Sequence, residues 1–555
     1  MYLKTRAALV AGLSATALLA ACGGGGTGGG TTGGASGDSA AAGGGEITVR
    51  GCQPQNPLIG GDTGESCGHD IVELFASTLF KYDPETGEPH PDLAESVESS
   101  DNKMFTVKIK PGQKFSDGTE VKAKNFVDAW NYTAYSPNGQ YLAYFMEPIK
   151  GFADVQSEDP DGEDGPKKAP EPKAKTMSGL KVVDDTTFTI KTTDKVSNLP
   201  ERLGYSAFAP LPDSFAKDPK AFGDKPIGAG PYTVESWTKN QAIVLKKNPN
   251  YSGANKGSLD QITFKIYQDS SAAYNDVMAG NLDVTDEIPS SAITADKYKT
   301  DLPDRNAQKE YGGISTMTFA SAKADPAVQN PKVRQAISMA VDREAVIKSQ
   351  FNGTRTPATG WVATTVNGYK AGACGEFCTY DAAKAKALLQ EAGGFKGKLT
   401  LSYNADASHK DWTEATCQSI KEALAIDCVA TPVVDFKTFR TQVKKREMKG
   451  LFRTGWQMDY PSIENFLTPI FATGASSNDG DYSNKAFDAK LKEAAAATDS
   501  AKANELYQEA EGMLKEQMPA IPLWYPKSTI GWSPKVTNVK ISAFGKPDYV
   551  GIKLK

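Results

Sequence analysis

The chain has 555 residues, with 62 Lys+Arg against 67 Asp+Glu, 39% hydrophobic residues, three histidines and seven cysteines. Its length predicts several domains and its composition is that of a soluble globular protein. The acidic balance excludes a nucleic-acid partner, which needs a concentrated basic surface, and scarce histidine leaves little room for a histidine-rich metal site.

Residues 1–21 read as a secretory leader: Lys4 and Arg6 precede a short apolar stretch from Ala7 to Leu19. It ends in Leu19-Ala20-Ala21-Cys22, similar to a bacterial lipobox, in which the cysteine is diacylated and begins the mature chain. Residues 23–45 hold 13 of the 52 glycines. Such a segment cannot bury a core and serves as a tether, with a span of roughly 25 Å at ~5–6 Å × √n. No further apolar run is long enough to cross a bilayer.

Without Lys4 and Arg6, 60 basic residues face 67 acidic ones. Beyond Cys22, six cysteines stand as three local couples: Cys52 with Cys67, Cys374 with Cys378, and Cys417 with Cys428. Six cysteines allow 15 connectivities; local pairing is the simplest, and an exported location permits it. A zinc site at Cys374 and Cys378 lacks a second ligand pair at the required spacing.

Glu46 to Val49 read as a strand, and a loop to Gly68 follows. Ile71, Leu74, Phe75 and Leu79 show helical periodicity. Alternation from Phe105 to Lys110 predicts a half-buried strand, and a helix is expected from Ala123 to Ala134. Acidic residues Asp159, Asp161, Glu163 and Asp164 lie in a polar, proline-rich stretch without the offsets of a calcium loop. Strands are expected at Thr187–Lys191 and Ala242–Lys246. Gly228-Ala229-Gly230-Pro231 lacks the third glycine of a nucleotide loop.

Asn330-Pro331 predicts a helix start, with Val333, Ile337, Ala340 and Val341 on its apolar side and an end near Asn352-Gly353. Asp381 caps another helix, and a further one near Trp412–Leu424 carries Cys417. Alanine-rich helices fill about 484–518, and Pro519 to Trp524 form a strand. The alternation of helices and strands means an α/β fold.

Seven segments, in order, carry a resemblance. They are His90-Pro91-Asp92-Leu93-Ala94-Glu95-Ser96, Lys114-Phe115-Ser116-Asp117-Gly118-Thr119, Gly228-Ala229-Gly230-Pro231-Tyr232, Asn248-Pro249-Asn250-Tyr251, Ala279-Gly280-Asn281-Leu282-Asp283-Val284, Val333-Arg334-Gln335-Ala336-Ile337-Ser338 with Ala340-Val341-Asp342-Arg343, and Gly455-Trp456 with Asp459-Tyr460-Pro461. Together the chain resembles family 5 extracellular solute-binding proteins, the oligopeptide- and dipeptide-binding components of ABC importers. The resemblance implies a two-lobed periplasmic-binding-protein-like fold (type II, cluster C) with an extra subdomain inserted in the first lobe. It assigns 46–72, 181–312 and 526–555 to that lobe, 73–180 to the insert and 313–525 to the second lobe. Hinge strands are expected near Ser315–Ala320 and Ala520–Trp524.

A receptor for peptides of varied sequence must hold what is constant in them: an acid for the ammonium, a cation for the carboxylate, and strand pairing between. Arg453, Gly455, Trp456, Gln457 and Asp459 supply these groups within seven residues. The family motif gives Asp459 the ligand amine and Arg453 the carboxylate, with the Gly455–Gln457 backbone pairing with the peptide. On the residues alone, an ordinary surface ion pair of Arg453 with Asp459 is the competing reading. The resemblance extends further to His409 near the ligand carboxylate, Phe436 beside a side-chain pocket, Tyr144 in the cleft, and Thr63-Gly64-Glu65 as a second pairing loop.

The expected function is therefore a monomeric, cofactor-free receptor, lipid-anchored through Cys22 at the outer face of a bacterial cytoplasmic membrane. It would pass short peptides to the transmembrane subunits of an ABC permease. A same-fold receptor for a sugar, an opine or a metal chelate is the alternative. An extracellular hydrolase is disfavoured, because no nucleophile-elbow or zinc-protease motif occurs.

Overall fold

The structure, a computed structural model, describes residues 44–157, 168–405, 407–497 and 499–555. The leader, Cys22, the tether up to residue 43 and the acidic cluster at 159–164 lie outside the described residues.

Strand β1 (Glu46–Gly51) buries Ile47 and Val49 on alternate positions. Helix α1 (Ser66–Phe75) follows, capped by Glu65, whose carboxylate accepts the Gly68 N–H at 3.0 Å. It ends at Phe75, because Ala76 is extended; Leu79, expected on this helix, falls beyond it.

The insert is built on an antiparallel sheet. Its strands are β2 (Ala94–Glu98) and β3 (Met104–Ile109), then, after helix α2 (Ala123–Ala134), β4 (Leu180–Val182) and β5 (Thr187–Lys191), in spatial order β2-β3-β5-β4. Phe126 and Trp130 of α2 press on Phe188 of β5, with centroids 5.7 and 5.5 Å apart. The expected boundary at residue 180 thus falls inside this sheet, and the insert's core also takes Leu199, Leu203 and Phe208. The alternation in Thr187–Lys191 shows a half-buried strand but not which sheet it joins.

In the first lobe, β6 (Tyr232–Thr238), β7 (Ala242–Lys247) and β8 (Gln261–Ile266) form a meander whose last strand runs parallel to β1. Gly230 donates its N–H to the Phe75 carbonyl at 2.7 Å, and a Cβ on Gly228 would lie 2.1 Å from that oxygen. These glycines allow close packing against the end of α1.

Strands β9 (Val284–Thr285), β10 (Asn306–Glu310) and β11 (Gly313–Phe319) lead into the second lobe. There the chain forms α3 (Pro331–Met339), α4 (Arg343–Phe351), β12 (Arg355–Pro357), α5 (Ala382–Glu391), β13 (Lys398–Asn404), α6 (Lys410–Leu424), β14 (Asp427–Val433), α7 (Phe436–Lys444), β15 (Leu451–Gln457), α8 (Glu464–Phe471), α9 (Lys485–Ala495) and α10 (Ser500–Gln517). The helix expected from Asn330 to Asn352 is two helices, because Asp342 breaks it and caps the second through the Ala345 N–H at 2.9 Å.

Strand β16 (Ala520–Trp532) joins the lobes. Its first half pairs with β11 and β12, its second with β10 and β9. The pair β10 and β11 crosses in the same place, through Tyr311-Gly312. The chain therefore passes between the lobes where strands continue from one sheet to the next. Cys52–Cys67, Cys374–Cys378 and Cys417–Cys428 are each disulfide-bonded.

Candidate functional site

Strand β15 pairs with β11 along its whole length but with β13 only at Leu451 and Phe452. On that side Arg453 to Gln457 have no strand partner among the described residues, so their backbone groups form an open edge. An extended ligand can be added to such an edge. Gly455 fits because a Cβ there would lie 2.8 Å from the Ile314 carbonyl of β11.

Three chambers meet at this edge. One, of about 330 Å³, lies between β15, the insert residues Tyr141 and Tyr144, and α7. A second, of about 730 Å³, lies towards β11, β12 and β16. The third, of about 280 Å³, lies between α1 and the C-terminal segment around Lys546. Gly455, Trp456 and Gln457 line the first two; Asp459 and Gly64 stand where the first meets the third.

Asp459 is held from α8. The Asn465 amide donates to its carboxylate at 2.9 Å, while the Asn465 carbonyl oxygen accepts the Asp459 N–H at 2.9 Å and the Trp456 indole N–H at 2.9 Å. No Lys or Arg of the described residues lies within 4 Å of Asp459. Burial pushes its carboxyl up to about 7, against the hydrogen bond from Asn465. The competing ion pair of Arg453 with Asp459 is not formed: Arg453 donates Nε–H to Asn404 at 2.7 Å and lies over the rings of Phe436 and Phe439, 5.1 and 5.4 Å from their centroids. Arg440 and Asp479, in the same chamber, neutralise each other through a two-pronged contact at 2.7 and 3.2 Å.

The remaining sequence-nominated residues divide. Tyr144 lines the first chamber and packs on Phe145. Phe436 lines it too and is 46% exposed. His409 lies in the second chamber, away from Asp459, and accepts the Trp412 indole N–H at 3.1 Å. Of the loop Thr63-Gly64-Glu65, only Gly64 reaches the cleft. Thr63 is fully buried, with its hydroxyl donating to the carbonyls of Pro57 and Ile59, and Glu65 caps α1 and accepts the Gln55 N–H. The polarity of these two side chains serves the loop.

Asn465 escaped the sequence reading, since a single asparagine six residues past Asp459 has no pattern. So did the contact beside it. Arg202, between β5 and β6, bonds Glu464 at 2.9 Å, and Asn198 and Tyr460 donate to the same carboxylate at 3.0 and 2.6 Å. Among the described residues no three His, Cys, Asp or Glu are grouped to hold a metal ion. No helix there is long and apolar enough to cross a membrane.

The arrangement can hold a cation at Asp459 and a strand on the open edge. The model of the bacterial extracellular solute-binding proteins, family 5 (middle), matches residues 88–478. The chain belongs to that family. The family comprises solute-binding proteins of transport systems, not enzymes. Among its relatives are the oligopeptide-binding protein OppA of Bacillus subtilis, 25% identical over 80% of this chain and 81% of that protein, and the glutathione-binding protein GsiB of Escherichia coli, 27% identical over 86% and 88%. In fold the chain is similar to Haemophilus influenzae OppA, solved in complex with the peptide RPPGFSPFR. The TM-score is 0.74 at 22% identity, over 92% of this chain and 98% of that one. The fold is two-lobed, as in these periplasmic binding proteins.

Proposed function

We propose that this chain is the solute-binding lipoprotein of an ABC importer and captures short peptides between its lobes for delivery to the permease. The observation that carries the reading is Asp459: a half-buried carboxylate with no cation within 4 Å among the described residues, at the end of an unpaired strand edge. A peptide supplies both missing partners, an ammonium for the acid and a backbone for the edge. Arg453, Gly455, Trp456 and Gln457 form the rest of the contact strip, with Arg453 for the ligand carboxylate, and Tyr144, Phe436 and Gly64 bound the chamber. The relatives named for oligopeptides and glutathione support a ligand that bears an amine.

In this reading the protein binds and releases without chemistry. Cys22 carries the lipid anchor, the glycine tether holds the receptor at the outer face of the cytoplasmic membrane, and the protein works as a monomer. The first lobe comprises 46–72, the strands from about 212 to 312 and 526–555; the insert runs from 73 to about 211; the second lobe comprises 313–525. This keeps Leu199, Leu203 and Phe208 with the core in which they pack.

The test is native mass spectrometry of the mature protein as purified, followed by thermal unfolding with mixed di- to pentapeptides, sugars and metal chelates. Retained peptide mass and a rise in Tm with peptides alone are expected. A rise with sugars or chelates but not peptides would refute the reading.

A further inference from the structure

The guanidinium of Arg343 is buried, 3% exposed, at the start of α4, and no carboxylate of the described residues lies within 4 Å of it. It donates only to neutral oxygens: the carbonyls of Pro522 at 2.8 Å, Ser338 at 3.1 Å and Val341 at 3.3 Å, and the Ser338 hydroxyl at 3.0 Å. Its remaining contact is sulfur, with Nη2 3.9 Å from Cys378 Sγ. The carboxylates nearby are committed elsewhere. Asp342 caps α4, Asp381 accepts the Lys384 N–H at 2.9 Å, and Glu376 pairs with the Lys384 ammonium at 3.2 Å. A cation withdrawn from water without a counter-ion is unfavourable, and a thiolate at Cys378 would supply one.

Three further features set this disulfide apart. With a separation of 4 residues, against 11 and 15, it closes the shortest loop and so gains least from constraining the unfolded chain. Its two sulfurs differ in access: Cys374 is fully buried in the second-lobe core, whereas Cys378 is half-buried on a surface turn. Neither Cys417–Cys428 nor Cys52–Cys67 has a guanidinium or ammonium bonded to sulfur among the described residues.

The geometry points to Cys374–Cys378 as a thiol–disulfide exchange site, with Cys378 the sulfur attacked and Arg343 the group that stabilises its thiolate. The partner class is an extracytoplasmic dithiol protein. Its thiolate attacks Cys378 Sγ, the Cys374–Cys378 bond breaks, and Cys374 leaves as a thiolate that takes up a proton. The partner's second thiolate then attacks its own sulfur in the mixed disulfide and releases Cys378 as a thiolate beside Arg343. Two electrons pass: the partner's dithiol becomes a disulfide, and Cys374 and Cys378 become thiols. Stabilising the reduced form makes a disulfide easier to reduce, so this site is more labile than a purely structural staple.

The test is equilibration of the folded mature protein in dithiol redox buffers, followed by alkylation and peptide mass spectrometry that scores each pair separately. Reduction of Cys374–Cys378 is expected at least tenfold in dithiol-to-disulfide ratio before the other two pairs. A dithiol protein lacking its resolving cysteine should be trapped on Cys378, not on Cys374. In the reduced wild type, Cys378 should react with iodoacetamide at a rate already near its plateau at pH 7, whereas an unperturbed thiol of pKa ~8.5 rises steeply above it. In Arg343→Met the gap between the pairs should shrink at least threefold. Should that variant fail to fold, the wild-type pH profile decides alone. Reduction of all three pairs together, or a Cys378 rate that climbs through the ordinary thiol range, would overturn the assignment.

Discussion

Glu464 and Asp459 lie five residues apart, the first buried and the second half-buried in the cleft, and their carboxyls shift in opposite directions. Burial by itself would raise Glu464, but the Arg202 guanidinium and the Tyr460 hydroxyl outweigh it and hold the group below the ordinary carboxylate range. Asp459 has no cation in contact among the described residues, and burial raises it to about 7. One carboxylate has its partner within the fold, on the segment after β5; the other is oriented, among the described residues, by Asn465. Burial alone therefore does not distinguish a structural acid from a binding one. What distinguishes them is whether the chain supplies the counter-charge.

Breaking the structural member of this pair should have the larger effect. Glu464→Gln leaves Arg202 buried without a partner, and a loss of about 3–5 kcal/mol is expected from denaturant titration. Because the folded-state pKa of Glu464 is lowered, its stabilisation is present at neutral pH and is lost as pH falls below about 4.5. Asp459→Asn should do the reverse. It leaves stability at pH 7.5 unchanged or raised, and weakens peptide binding at least 30-fold, from about 2 kcal/mol for removing one partner of a hydrogen-bonded charge pair. Calorimetry on both variants separates the roles; a large loss of stability in Asp459→Asn would contradict the comparison.

The pH dependence sharpens it. Asp459 holds its proton in the folded state up to about pH 7 but loses it near pH 4 when unfolded. The ligand-free protein therefore loses stability as pH rises through that window. Glu201 and Glu511, also raised to about 7 by burial, act in the same sense. The difference between wild type and Asp459→Asn isolates the contribution of Asp459. Peptide affinity should rise about tenfold per pH unit approaching 7, as the carboxylate ionises for the ammonium. A pH-independent affinity between 5 and 7 would remove Asp459 from the amine site.

Much of this was legible in the sequence, and the division has a physical basis. Local patterns carry local structure: α2 spans Ala123–Ala134 as expected, Asn330 and Asp381 cap their helices, and the cysteines join their nearest neighbours. Arg453 and Asp459 are nominated together because a strand and the turn after it are contiguous in sequence. Contacts between distant segments leave no such trace. Arg202 meets Glu464 across 262 positions, and β5 joins a sheet that its own alternation cannot name. Thr63 and Glu65 show another limit: their side chains bond within the loop that presents Gly64.

Asn465 ranks next, because it acts on the ligand only through Asp459 and Trp456. It is 1% exposed, and Asn465→Ala removes the donor to the carboxylate and the acceptor for two N–H groups. Unmade buried hydrogen bonds cost about 1–3 kcal/mol, so a moderate loss of stability and a five- to thirtyfold loss of affinity are expected, with Asn465→Asp restoring neither.

The smallest effect is expected at Phe436, where the chamber wall meets the solvent. Its ring is 46% exposed beneath the Arg453 guanidinium, which keeps its bond to Asn404 and its contact with Phe439 if Phe436 is removed. An exposed cation–π contact is worth about 0.5–1 kcal/mol. Phe436→Ala should thus leave stability unchanged and weaken peptide binding less than about fivefold, as read by calorimetry. A loss beyond tenfold would mean that the ring touches the ligand itself, and would extend the binding strip from β15 onto α7.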